Sequence, residues 1–250
     1  MTLVAIAYVA FVAYQSSRMK ADYASRVLRI RTAREYLRTV LITPPTSKTV
    51  NTWNECCLPS LVITNKHDLE LYSWRAYAVW SNAGIPLNLN DRWDSETNAI
   101  CRTNIPSYAF CDDGSSLASV VSVSGKMSPF AQHLHCSEVN KRQVILVEAS
   151  QPTVHWMAPG DFDPSTLHGN SSPWTKDFLI CFADGEVWRI SKDVTGDLLR
   201  EFVIWDGTRP EVRVDISAYC VHRYTRVGDD LCVGCGSGGT IEEPTQTEEK

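Results

Sequence analysis

The chain has 250 residues, 44% of them hydrophobic, with nine cysteines and a formal net charge of -5. That apolar content supports a packed core and excludes a disordered chain, while the acidic balance gives no global attraction to nucleic acid, whose phosphates demand a basic face. Charge is uneven along the chain: seven Lys and Arg stand against Asp22 and Glu35 between Arg18 and Arg38, and four Glu fall in the last ten residues.

The first element is apolar. Leu3 to Tyr14 is an unbroken apolar run, and no charge precedes Arg18. A helix through Met19 reaches roughly 28 Å, close to the roughly 30 Å hydrocarbon core of a bilayer. Positive charge at the start and a small-residue cut site, the marks of a cleaved secretory signal, are not evident, so the reading is a retained anchor. The next segment continues in helical period, with Tyr23, Val27, Ile30, Ala33, Leu37 and Val40 making one apolar stripe. Its other face is mostly arginine and reads as a solvated basic face, or as arginines placed at lipid headgroups or against acidic groups of a neighbouring subunit. Ile42-Thr43-Pro44-Pro45 ends the helix, because proline donates no hydrogen bond and pushes its predecessor out of the α region. Anchor and basic helix therefore read as one rod of about forty residues.

The texture then changes to short β-prone runs between turn residues. Leu58 to Thr64, Ser73 to Trp80, Ala118 to Ser124, Val144 to Glu148, Phe178 to Phe182, Glu186 to Ser191 and Val212 to Ile216 are the predicted strands. Asp184-Gly185 joins two of them and predicts a two-residue hairpin turn of type I′, which needs positive φ at both positions. A short helix is predicted over Asp197 to Val203. From Gly234 the chain is too polar and glycine-rich to offset the entropy of ordering. Trp53, Trp74, Trp80, Trp93, Trp156, Trp174, Trp188 and Trp205 are spread over the β region and read as packing residues.

Among candidate chemical groups, Cys220, His222, Cys232 and Cys235 form the most metal-like set. Three thiolates and one imidazole in two close pairs suit a tetrahedral structural zinc; disulfides outside the cytoplasm are the competing reading. In His133-Leu134-His135-Cys136 a strand would place both histidines on one face, but no third ligand lies at readable spacing. Cys56 and Cys57 would point apart in an extended chain. Asp112-Asp113-Gly114 and Asp229-Asp230 supply oxygens suited to calcium, yet six or more must converge. No nucleophile elbow, phosphate-cradling glycine loop or His-Glu-x-x-His is present, so the chain does not read as an enzyme and implies no small-molecule substrate.

Four stretches together resemble the planctomycete-type prepilin-like family of unknown function. They are Met1-Thr2-Leu3-Val4; Ser73-Trp74-Arg75 with Arg92-Trp93-Asp94-Ser95 and Asn98; Val144 to Ala149, including Glu148, followed by Trp156, Pro159 and Asp161; and Phe182-Ala183-Asp184-Gly185 with Val187 and Ser191. They run in the family's order to about Val212. Three departures accompany them. Ala5 replaces the family's acidic residue, and the family's basic leader ending in glycine is not read ahead of Met1, so the expectation is either a truncated start or a member no longer processed; fifteen residues separate His168 from Asp184 where the family has nine; and Asp112-Asp113 follow Cys111 where the family has Pro-Ser.

The resemblance implies a pilin-like α+β protein, with a long N-terminal helix, half membrane anchor and half amphipathic, packed on a mostly antiparallel β-sheet. The expected parts are an anchor over 1–19, a basic helix over 20–43, a β-rich domain over 44–215, a cysteine-rich segment over 216–236 and an acidic tail over 237–250. The implied role is a non-enzymatic pseudopilin-like structural or secretion-associated subunit, single-pass in the bacterial inner membrane with its globular domain extracytoplasmic. Its partners would be membrane lipid and other pilin-like subunits or secretion-system components. No cofactor is implied beyond the zinc or calcium considered above. Arginines after the apolar run argue for the opposite orientation by the positive-inside rule. The alternative is a soluble or peripheral binding module with a structural zinc near its C-terminus.

Overall fold

A computed structural model describes residues 2–42, 61–65, 67–103, 110–112, 115–126, 128–130, 143–203 and 216–224, with the side chains of residues 2–9 and 39–42 outside that description. The protein is α+β. Helix α1, Thr2–Ile42, is a single rod of 41 residues, about 61 Å long at 1.5 Å per residue. Its continuity agrees with the sequence reading. No helix among the described residues is long and apolar enough to cross a membrane. The physical reason is length: Leu3 to Tyr14 covers only about 18 Å before Gln15, Ser16, Ser17 and Arg18.

Burial divides α1 into two halves. Residues 10–14 and 17–22 are exposed, whereas Val27, Ile30, Ala33 and Leu37 form the predicted apolar stripe and are buried. The arginine face is not solvated as expected, since Arg26, Arg29 and Arg34 are buried beside the stripe. They flank it closely enough that their aliphatic stems pack while their heads find carboxylates and carbonyls of the same chain.

After α1, strands β1 (Val62–Thr64) and β2 (Glu70–Ser73) pair antiparallel. Helix α2, Trp74–Ala83, follows where the sequence predicts a strand from Ser73 to Trp80. Trp, Tyr and Val favour a strand, but the termini decide otherwise. The Ser73 side chain caps the Ala76 amide at 3.3 Å, and Gly84 adopts left-handed φ of 62° while its amide bonds the Trp80 carbonyl at 3.1 Å. A short helix α3, Ala99–Thr103, precedes the main sheet.

That sheet has five antiparallel strands in chain order: β3 (Val120–Ser122), β4 (Val144–Glu148), β5 (Phe178–Phe182), β6 (Val187–Ile190) and β7 (Cys220–Tyr224). Every residue of β4 and β5 is buried, so both faces are covered. Alternation within β5 assigns the faces. Phe182 meets Phe202 of helix α4 (Gly196–Val203) edge to face, and Phe178 stacks on Trp174 with centroids 4.1 Å apart. Cys181 points the other way, toward Arg34 and Arg31 of α1. The fifth strand of the described sheet is β7; residues 212–215 of the predicted 212–216 strand lie outside the described residues, and Ile216 is in a helical turn.

Candidate functional site

Two buried polar clusters hold the helices to the sheet. In the first, α1 delivers Arg26 to Glu148 at the end of β4. Nε bonds Oε1 at 2.8 Å and Nη2 bonds Oε2 at 2.6 Å, a two-point pairing in which guanidinium and carboxylate are matched in shape. Arg26 Nη2 also donates to the Asp177 carbonyl, and Glu148 accepts the Leu179 amide. Burial opposes the charge on Arg26, but the Glu148 carboxylate outweighs it and leaves its pKa raised. Arg26 and Arg189 place their guanidinium carbons 4.4 Å from the Tyr23 ring centre, which secures the point where α1 leaves the domain.

Two helical turns further into the domain, Arg34 is 1% exposed and donates to the Ala183 carbonyl in the β5–β6 hairpin. This explains Asp184-Gly185. The Gly185 amide bonds the Phe182 carbonyl at 2.9 Å, and the Phe182 amide bonds the Glu186 carbonyl at 2.9 Å. Gly185 has φ of 84°, while the only described non-glycine residue with positive φ is Asp68. The hairpin is therefore a type I turn closed by a left-handed glycine, a three-residue loop and not the predicted two-residue I′ turn. Asp184 accepts the Glu186 amide through Oδ1 and acts as a turn residue, as expected. A Cβ on Gly185 would sit 3.1 Å from Arg34 Cζ, so the glycine serves both φ and the approach of α1. Gly185→Ala is expected to destabilise the fold by about 1–2 kcal/mol from the left-handed backbone alone. Asp184→Asn, which preserves the turn acceptor, should change urea stability by less than roughly half that.

The second cluster is built from Ser73-Trp74-Arg75 and the 155–161 strap, which the sequence offers only as separate motif fragments. Arg75 is fully buried and spreads its guanidinium over four acceptors: Asp161 Oδ1 and the carbonyls of Trp156, Ala158 and Gly160. Ser73 donates to the Trp156 carbonyl at 2.9 Å, and its amide reaches the Met157 carbonyl. Asp161 Oδ1 also accepts the Trp74 indole and the Ser122 amide, tying α2 to β3. Burial pushes the Asp161 carboxyl up, and the Arg75 guanidinium pulls it part of the way back. Both side chains of this ion pair are essentially inaccessible, at 0% and 1% exposure, so the cluster reads as an internal fastening.

The remaining motif residues adjoin it. Asn98 accepts the Asn88 amide and donates to the Asn88 and Arg92 carbonyls, closing the loop that carries Trp93. Trp93 stacks on His155 with centroids 5.0 Å apart, whereas Asp94 makes only an exposed pair with Arg92. The structure thus brings Ser73, Trp74, Arg75, Trp93, Asn98 and Trp156 into one region and places Glu148 in the α1 cluster.

Other expected sites divide between the described and undescribed residues. Cys220 and His222 lie on β7, with His222 exposed and its ring 4.6 Å from that of Tyr224. Their expected zinc partners Cys232 and Cys235 lie outside the described residues, as do His133, His135, Cys136, Cys56, Cys57, Asp113, Gly114, Asp229 and Asp230. Among the described residues no three His, Cys, Asp or Glu side chains converge as metal ligands would. Asp112, offered for calcium, instead pairs with Arg29. Cys181 is buried under α1 and its thiol is pushed up to about 12 by burial, which keeps it in the unreactive form.

Sequence reasoning passed over Arg26, Arg34 and His155. The available signal for the arginines was their position immediately beside the α1 stripe. No family model, curated protein or solved structure matches this chain.

Proposed function

We propose that this chain is a non-enzymatic, pilin-like structural subunit of the bacterial cell envelope. The observation that supports the reading is the division of α1: one half is fastened to the sheet by the buried Arg26–Glu148 pair and the Arg34 bond to the Ala183 carbonyl, and the other carries Phe11 and Tyr14 at 58% and 62% exposure. A rigid rod with one clamped end and one exposed apolar end suits an assembly element, because its apolar surface gains stability only by meeting another surface. The apolar run is too short to cross a bilayer alone, so the proposed arrangement sets the exposed halves side by side with those of other pilin-like subunits or secretion-system components at the inner membrane. The β-rich domain then faces the extracytoplasmic side. Its buried motif clusters are structural, because Ser73 is committed to backbone partners and Arg75 and Asp161 to each other.

Membrane fractionation and detergent-free size analysis test this reading. The intact chain is expected in the membrane fraction or in large assemblies, and removal of residues 1–18 is expected to yield a soluble folded domain. An intact chain that is wholly soluble and monomeric would overturn it.

A further inference from the structure

We propose that His155 is an acid-sensitive latch: its neutral ring fastens the Trp93 loop and the end of α3 to the 155–161 strap, and a second ring proton releases them. The geometry carries the idea. His155 Nδ1 accepts the Met157 amide at 3.2 Å, and the backbone of Arg102 in α3 lies close to its ring. One ring face stacks on Trp93 at 19° between planes, and the His155 backbone bridges to Leu117. Four segments therefore meet at this one residue, three of them at its imidazole.

An amide N–H can only donate, so the nitrogen that faces Met157 must hold a lone pair. Imidazolium carries a proton on both nitrogens, and the new N–H would point at another N–H. The charged neighbours make that proton still less welcome. Arg102 on α3 and Arg75 on α2 both oppose a further cation, and the nearby carboxylate Asp161 is already committed to Arg75. Arg92 and Asp94 on the Trp93 loop pair with each other. Burial is the largest cause of the lowered His155 pKa; the Arg102 backbone opposes it, and the charges of Arg102 and Arg75 add to it.

The sign follows from linkage. A histidine whose pKa is depressed in the docked state is neutral there while the released state takes up a proton below about 6.5. Docking is therefore fully stable above that pH and weakens as pH falls through it. The opening equilibrium rises by up to about tenfold per pH unit until the docked ring itself titrates.

Amide hydrogen exchange on the full chain at pH about 7.5 and 5.5 tests this, using protection factors that correct for intrinsic exchange. Reporting amides are Met157, Trp93, which bonds the Leu71 carbonyl, and Asn88, which bonds Asn98 Oδ1. Their protection is expected to fall by up to about tenfold at the lower pH, while the Gly185 and Ala183 amides of the β5–β6 hairpin hold theirs. His155→Gln keeps an acceptor but no titration, and should abolish the fall. Equal protection at both pH values, or the same fall in His155→Gln, overturns the proposal. Should that variant not fold, an NMR titration of the native imidazole decides: a midpoint below about 6.5 is expected, and one at or above it refutes the latch.

Discussion

Replacing Arg75 by methionine is expected to lower the stability of the fold by about 3–5 kcal/mol, because it leaves the buried Asp161 carboxylate without its cation. Three carbonyl oxygens lose a donor at the same time, those of Trp156, Ala158 and Gly160. Lysine should rescue little of this. One ammonium has three donors on a flexible stem, whereas the guanidinium presents a planar fork to four acceptors spread along the strap. The double variant Arg75→Met with Asp161→Asn should be less destabilised than Arg75→Met alone, since the stranded charge is then gone. Urea unfolding measures all three variants. A loss below about 1 kcal/mol for Arg75→Met would mean that the pair does not fasten α2 to the strap and β3.

Glu148→Gln should cost about 3 kcal/mol or more and act on a different part of the molecule. The amide still accepts one hydrogen bond but no longer carries the buried charge opposite Arg26, whose remaining partners are the Asp177 carbonyl, the exposed Asp22 carboxylate 3.6 Å away and the Tyr23 ring. The Leu179 amide and the β4–β5 edge lose an ionised acceptor as well. Because Arg26 stands where α1 leaves the sheet, the variant should loosen the helix there before the β-sheet. Hydrogen exchange is expected to speed up first over residues 22–30 while β5 and β6 stay protected. Uniform loss across the sheet would show that the pair supports the whole core and does not act as a clamp on α1.

These two pairs show how far the sequence could be read. The apolar stripe of Val27, Ile30, Ala33 and Leu37 was legible because helical period is local, and the structure buries those residues. The arginines beside it were not legible as buried, because a charged side chain on a helix is cheap in water. Acceptors brought from far along the chain, as Glu148 is to Arg26 and the Ala183 carbonyl to Arg34, make it stable inside. The same limit affected Ser73 to Trp80: β-prone residues suggested a strand, and the Ser73 cap and the Gly84 stop made a helix that the strap then locked through Arg75.

By itself the sequence determined what depends on neighbours within a turn or two: the continuous first helix, β4, β5, β6 and α4 nearly to their ends, and Asp184-Gly185 as a hairpin. Tertiary structure decided what depends on distant groups. It chose the turn type, because Arg34 lies against Gly185 and the loop closes over it with one left-handed residue. It also drew Ser73-Trp74-Arg75, Trp93, His155 and Asp161 from separate fragments into a single fastening. The physical reason is the same in each case: periodicity and turn preference are properties of a short segment, whereas desolvating a charge is favourable only against partners supplied by the folded chain.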